Sequence, residues 1–187
     1  MPESNAKMES ATLHAMKVLL TRPEGQSVSL QRRLTQLGAL TESLPALEIA
    51  ALTESAASRQ LFINLDRFDT VIFISPNAAN FGARQIDTYW PQLPEKINWI
   101  AVGKSTADTL LEWGITAITP CLSEDSEGLL ALPALAQSKQ QSILIVRGAG
   151  GRALLGETLR ENGAQVSFAE VYQRHCPDYD SDIVKAR

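Results

Sequence analysis

The chain has 187 residues, ordinary apolar content (44%) and a formal net charge of −4. That is enough material for one domain or two small ones. It contains no basic block suited to nucleic acid. No apolar run reaches the roughly 18–20 residues needed to span a bilayer. Cys121 and Cys176 have no metal-like spacing and read as free thiols. His14 and His175, with Cys176 beside the latter, supply too few ligands for zinc, so no metal cofactor is expected.

In chain order, residues 1–15 are polar, carry Glu3 and Glu9, and have no hydrophobic core of a secretion signal. They read as a disordered leader, or as sequence upstream of a start at Met16. Lys17–Thr21 is a short buried strand. Ser27–Leu37 is a helix with Leu30, Leu34 and Leu37 on one face, stopped by Gly38. Thr41–Leu47 is a strand and Thr53–Leu65 a helix. Thr70–Ile74 is the clearest strand, followed by Ser75-Pro76, an N-cap serine with proline at the first helical position. Ile97–Val102 is a strand. Ser105–Trp113 is a helix with Ser105 as cap, Asp108 three residues on and Gly114 as stop.

Thr116–Thr119 is a short strand. Ser126 begins a helix through Leu132, with Glu124, Asp125 and Glu127 suited to its positive end. Ser142–Val146 is a strand, Gly151–Asn162 a helix and Gln165–Tyr172 the last strand. Ser181–Lys185 resembles the first turn of another helix. The β/α alternation with continuous apolar strands predicts an α/β fold of parallel sheets covered on both faces.

The chain also repeats itself. Arg22 falls on Arg147, Leu30 on Leu155, Leu34 on Leu159 and Gly38-Ala39 on Gly163-Ala164. Two βαβ pieces so far apart suggest two like domains facing across a cleft, where small ligands usually bind. The Lys17–Leu47 unit is alone on its side. It either adds to the main sheet or lacks the remainder of its domain.

Ligands of parallel α/β sheets bind beyond the carboxyl ends of the strands. Five strand-to-helix junctions there are small or polar: Arg22–Gly25, Ser75–Asn77, Gly103–Thr106, Cys121–Ser126 and Arg147–Gly151. Each offers backbone N–H groups at a helix N-terminus. Ser75, Ser105 and Ser126 either cap helices or join such a ligand mouth. Arg22 and Arg147 either clamp carboxylates in a bidentate fork or pair with neighbouring acids and brace their loops. Tyr172 ends the last strand, as a hydrogen-bond donor or general acid or as a packing aromatic. Gly148-x-Gly150-x-x-Ala153 with Glu170 fits a dinucleotide fingerprint. It falls in the last βαβ unit, however, and its repeat partner has Pro23 and Glu24, so it is discounted.

These blocks together resemble the uroporphyrinogen-III synthase family. The carriers are Leu20-Thr21-Arg22-Pro23, Leu37-Gly38-Ala39, Leu44–Ile49, Phe73–Ala78, Ala101–Ala107, Ser126–Leu130, Val146–Arg152 and Glu170–Arg174, in family order. The resemblance implies two similar parallel-sheet, flavodoxin-like α/β domains joined by a two-stranded linker. The outer domain would begin at residues 16–49, the inner occupy 50–168, and 169–187 return to the outer domain. Leu44–Ile49 and Ala169–Arg174 would be antiparallel linker strands.

The implied reaction is cyclisation of hydroxymethylbilane by a monomeric cytoplasmic hydro-lyase, with inversion of ring D and loss of water. The resemblance implies no cofactor. It implies a functional link to porphobilinogen deaminase. Tyr172 matches the family's linker tyrosine, and Thr106 its threonine. Ser75, Asn77, Gly103, Ser105, Thr106, Ser126, Arg22, Arg147, Gly148 and Gly150 would face the eight substrate carboxylates. Family members continue for several βα units beyond the linker, on the order of 60–80 residues at about 30 per unit. The outer domain is therefore expected to be incomplete and activity weak or absent.

Overall fold

The computed structural model describes residues 13–121 and 123–180. The leader up to residue 12 and the suggested turn at Ser181–Lys185 lie outside the described residues. The elements are β1 (Lys17–Leu20), α1 (Val28–Gln36), β2 (Leu40–Ser43), β3 (Glu48–Ala51), α2 (Ala56–Ile63), a 3-10 turn (Leu65–Arg67), β4 (Thr70–Phe73), α3 (Pro76–Tyr89), β5 (Asn98–Ala101), α4 (Lys104–Glu112), α5 (Ser126–Leu130), α6 (Pro133–Ala136), β6 (Ser142–Gly148), α7 (Leu154–Glu161) and β7 (Gln165–His175). The fold is α/β with parallel-dominated sheets. The chain divides into two compact units, residues 1–49 with 174–187, and residues 50–173.

In the first unit β1 and β2 pair in parallel, Lys17 with Leu40 through Leu20 with Ser43. They form a sheet of their own and do not extend the larger one. The αL residue Gly38 (φ 90°) ends α1 and lets Ala39 N–H reach Leu34 O at 3.1 Å. Two strands cover little: Leu20 and Ala39 are buried, while α1 has no buried residue. Near the end of the described chain, Tyr179 Oη donates to Pro45 O at 2.9 Å, and His175 Nε2 lies 2.7 Å from Glu48 Oε2.

The second unit is built on a sheet of order β3-β7-β6-β4-β5. β4 lies parallel to β5 and β6, and β6 to β7. All four residues of β4 are buried, which is why its sequence, Thr70-Val71-Ile72-Phe73, is uncharged and mostly apolar rather than alternating. Alternate residues face opposite layers. Ile72, Ile100, Ile143 and Ile145 pack with Leu129, Leu132, Leu135, Leu155 and Leu159 of α5, α6 and α7 and the turn between α5 and α6. Phe73 and Val146 face α3, which comes so close that a Cβ at Gly82 would lie 2.7 Å from Val146 Cγ1.

Several expected elements are corrected. Thr116–Thr119 is not a strand. Ile118 makes a single parallel bridge to Ile100, because the edge segment diverges after one pair of hydrogen bonds. The helix expected over Ser126–Leu132 ends at Leu130, and the next begins at Pro133, which has no N–H to continue the first. The helix expected from Thr53 starts at Ala56, with Ser55 as the capping residue. That expected from Gly151 starts at Leu154. The last strand runs beyond Tyr172 to His175.

Candidate active site

The site is a row of residues at the carboxyl edge of the larger sheet. Phe73 is in register with Ala101 on one side and Val146 on the other. Two residues further along each strand lie Ser75, Gly103 and Gly148. Gly148 is in turn paired with Tyr172. Three adjacent strands and the last one therefore bring four of the candidate residues to one edge.

Ser75 is the N-cap of α3, its Oγ accepting Ala78 N–H at 3.0 Å, with Pro76 at the first helical position. The same Oγ lies 3.2 Å from Tyr172 Oη in a second hydrogen bond. Tyr172 is buried, only 1% exposed. Its ring stacks on Phe81 at 6.0 Å between centroids and lies against Gly148, where a Cβ would stand 2.6 Å from the phenolic carbon Cζ. Ala149 N–H reaches Tyr172 O at 2.8 Å.

What aims Tyr172 at α3 is a slip in strand register. Arg147 pairs with Glu170 but Gly148 with Tyr172, so β7 carries one extra residue there. Such a bulge re-aims the side chains beyond it. Phe168, two residues before Glu170, packs on the α7 side, where it would meet a Cβ at Gly156. Without the bulge, Tyr172 would share that face.

A second cluster lies at the next junction. Ser105 is not the cap of α4. The cap is Gly103, and the first helical N–H, from Lys104, is accepted at 2.9 Å by Glu124 Oε1. A Cβ at Gly103 would collide with the Glu124 carboxylate. Glu124 thus serves α4, not the helix that follows it in sequence. Ser105 is exposed, and Thr106 is buried in the first turn with its N–H on Gly103 O at 3.1 Å. Ser126 likewise is not a cap. Asp125 caps α5, accepting Gly128 N–H at 2.8 Å. The Ser123 hydroxyl, and then Gly128 N–H, hold the Asp125 carboxyl below its usual range.

Arg147 takes its bracing role. Its Nη2 donates to Glu170 at 2.9 Å and its Nη1 to Gly151 O at 3.2 Å and Arg152 O at 3.4 Å. Its guanidinium lies 4.1 Å from the centre of the Phe168 ring. The fork is occupied by this chain's own acceptors. Asn77 is half-buried in the first turn of α3, and Gly150 is exposed in the loop at φ 69°. Arg22 is exposed and lies in the other unit. The space beside Gly148, the first glycine of the dinucleotide fingerprint, is filled by the Tyr172 ring.

Phe81 and the capping role of Glu124 escape a reading by motif. Phe81 is one apolar residue of an amphipathic helix, and only the bulge puts a tyrosine against it. Glu124 stands twenty residues after the N–H it accepts. Among the described residues no group of three or more His, Cys, Asp or Glu gathers that could hold a metal ion, and no helix is long and apolar enough to cross a membrane.

Comparison with known proteins gives a concordant result. Residues 28–187 match the family model described as uroporphyrinogen-III synthase HemD. The chain is 38% identical to a uroporphyrinogen-III synthase of Salmonella typhimurium over 169 residues, covering 88% of this chain and 68% of that protein. It is 36% identical to one from Proteus mirabilis, covering 89% and 84%. Among solved structures, a mutant uroporphyrinogen III synthase of Thermus thermophilus superposes with a TM-score of 0.65 at 18% identity. That match covers 88% of this chain and 64% of the Thermus chain, and supports the fold. The matched family segment begins after Arg22.

Proposed function

The chain belongs to the uroporphyrinogen-III synthase family, and from that premise we propose that it cyclises hydroxymethylbilane to uroporphyrinogen III, inverting ring D and releasing water, as a cytoplasmic hydro-lyase. The observation that carries this reading is the Tyr172 phenol held on Ser75 at the carboxyl edge of the sheet, beside the first turn of α3.

The difficult step is departure of hydroxide from the terminal hydroxymethyl carbon. The pyrrole nitrogen pushes electrons toward that carbon, and a proton donor neutralises the leaving oxygen. Tyr172 is the proposed donor. The substrate's carboxylates suit the positive N-terminal ends of α3 and α4, although Glu124 already accepts the Lys104 N–H of α4. Thr106, Ser105 and Asn77 lie in those first turns and are the proposed binding residues, with Ser126, Gly150 and Arg22 at the remaining junctions. Arg147 and Gly148 act indirectly, one bracing the loop 148–152 and the other seating the Tyr172 ring. Holding the linear tetrapyrrole so that one ring closure is reached before the spontaneous one is a matter of positioning, and requires no cofactor.

We assign residues 16–49 and 169–187 to an outer domain and 50–168 to an inner one. We also propose a monomer that receives its unstable substrate from porphobilinogen deaminase. The test is to give the purified chain freshly made hydroxymethylbilane and resolve the oxidised products by isomer. Isomer III above the background is the expected result. Isomer I alone, with a bilane analogue still bound, would instead indicate a non-catalytic binding module.

A further inference from the structure

A tyrosine 1% exposed is badly placed to touch a substrate, yet it is the proposed proton donor. Its hydroxyl faces Ser75 Oγ, and Ser75 is partly exposed at the mouth of the site. A serine hydroxyl has two acceptor lone pairs and one donor hydrogen. The Ala78 N–H takes one lone pair. If Tyr172 Oη donates to the other, the remaining capacity of Ser75 is its own O–H, directed away from both.

From this geometry we infer that Ser75 is the catalytic residue that delivers the proton, with Tyr172 as the source behind it. This rests on the synthase reading and deepens it. As the hydroxymethyl C–O bond breaks, its electron pair goes to oxygen and that oxygen takes the Ser75 proton, leaving as water. The Tyr172 proton moves to Ser75 Oγ in the same event. The pyrrole nitrogen supplies the electrons that hold the cationic carbon, and Tyr172 is left as phenolate. After the new carbon–carbon bond forms, the proton lost on rearomatisation of the pyrrole returns through Ser75 to the phenolate. The net change is loss of one water. The helix N-terminus stabilises the transient negative charge at this position.

Phe81, stacked on the ring, and Gly148, against its hydroxyl-bearing end, make the relay possible by holding the ring in place. The phenol therefore stays on Ser75 instead of turning toward solvent.

The test separates capping from proton delivery. Asparagine caps a helix about as well as serine but its amide cannot pass a proton on. Ser75→Asn, Ser75→Thr, Tyr172→Phe and the double variant Ser75→Asn/Tyr172→Phe are compared with the parent for kcat and KM of isomer III formation. Ser75→Asn and Tyr172→Phe are each expected to lose about 10²-fold or more in kcat, the range for a positioned proton donor. KM should stay within about threefold, since substrate binding is not the affected step. Threonine should restore most of the rate, and the double variant should be no worse than the worse single, since the pair acts as one unit.

Near-parental kcat for Ser75→Asn alongside a crippled Tyr172→Phe would overturn the relay and leave Tyr172 as a direct donor. Near-parental kcat for Tyr172→Phe would overturn the proton-donor reading itself. A measurement independent of turnover is the 13Cζ tyrosine resonance of Tyr172, assigned by its loss in Tyr172→Phe. It should shift in Ser75→Ala, and an unchanged resonance would show that the contact, and with it the relay, does not exist.

Discussion

Gly148→Ala tests the seat of Tyr172 most directly. Gly148 lies within β6 without a positive φ, so alanine is tolerated by the backbone. The added Cβ, however, would stand 2.6, 2.8 and 3.0 Å from three carbons of the Tyr172 ring. Restoring carbon–carbon contact to about 3.5–4.0 Å requires the ring to retreat by about 1 Å. Phe81 stacks on the ring and Ser75 meets its hydroxyl, and the ring is buried, so there is little space to move into. Overpacking a filled core costs about 1–3 kcal/mol. Removing glycine from the unfolded chain returns about 0.4–1 kcal/mol. The expected net loss is about 1–2 kcal/mol, which at a urea m-value of about 2 kcal/mol/M lowers the midpoint by about 0.5–1 M. Urea titration followed by circular dichroism measures it. In a Tyr172→Leu background the same substitution should cost nothing, because the clashing ring carbons are gone. A Gly148→Ala protein as stable as the parent would refute the placement of the ring.

Arg147→Lys keeps the charge but loses the planar fork and the stacking on Phe168, and should lower stability by about 1–2 kcal/mol, read as a shift in thermal midpoint. Gly103→Ala should displace the Glu124 carboxylate from Lys104 N–H. Its effect on stability should be non-additive with Glu124→Ala, because both remove one contact. Glu54 Oε2 accepts from Tyr89 Oη at 2.7 Å and from Arg59 Nε at 3.0 Å. The Tyr89 hydroxyl first, and Arg59 after it, hold the Glu54 carboxyl below its ordinary 4.5. A carboxyl depressed in the folded state stabilises above pH 4.5 and loses that contribution as pH falls through its lowered value. Tyr89→Phe should therefore flatten the acid limb of stability against pH, measured by urea midpoints below pH 4.5.

Much of the larger unit was legible in the sequence. The run Val71–Phe73 is apolar throughout and, with Thr70, proved to be a fully buried interior strand between β5 and β6. Ser75-Pro76 marked a helix start that the structure keeps, because cap and proline are local signals that packing does not alter. Gly38 and Gly163, equivalent in the internal repeat, both take φ of 90° where a helix ends. Serines near the other helix starts misled for a physical reason. Capping groups need only be near in space, and the N–H groups in question are accepted by Glu124 and Asp125 instead of Ser105 and Ser126.

The repeat shows the boundary between the two kinds of information. Leu155 and Leu159 are 4% and 0% exposed, while of their counterparts Leu30 is 37% exposed and Leu34 half-buried. One pattern of residues gives one βαβ unit in both places, since periodicity and glycine stops act over a few residues. Burial depends on what the unit packs against, and a two-stranded sheet offers less cover than a five-stranded one. The sequence by itself therefore determined the α/β alternation, the strand-end junctions and the family. Only the tertiary structure decided that Arg147 braces its own loop, and that one extra residue in β7 turns Tyr172 onto Ser75. A one-residue slip reverses which face a side chain occupies, and nothing in the local composition of Glu170–Tyr172 records it.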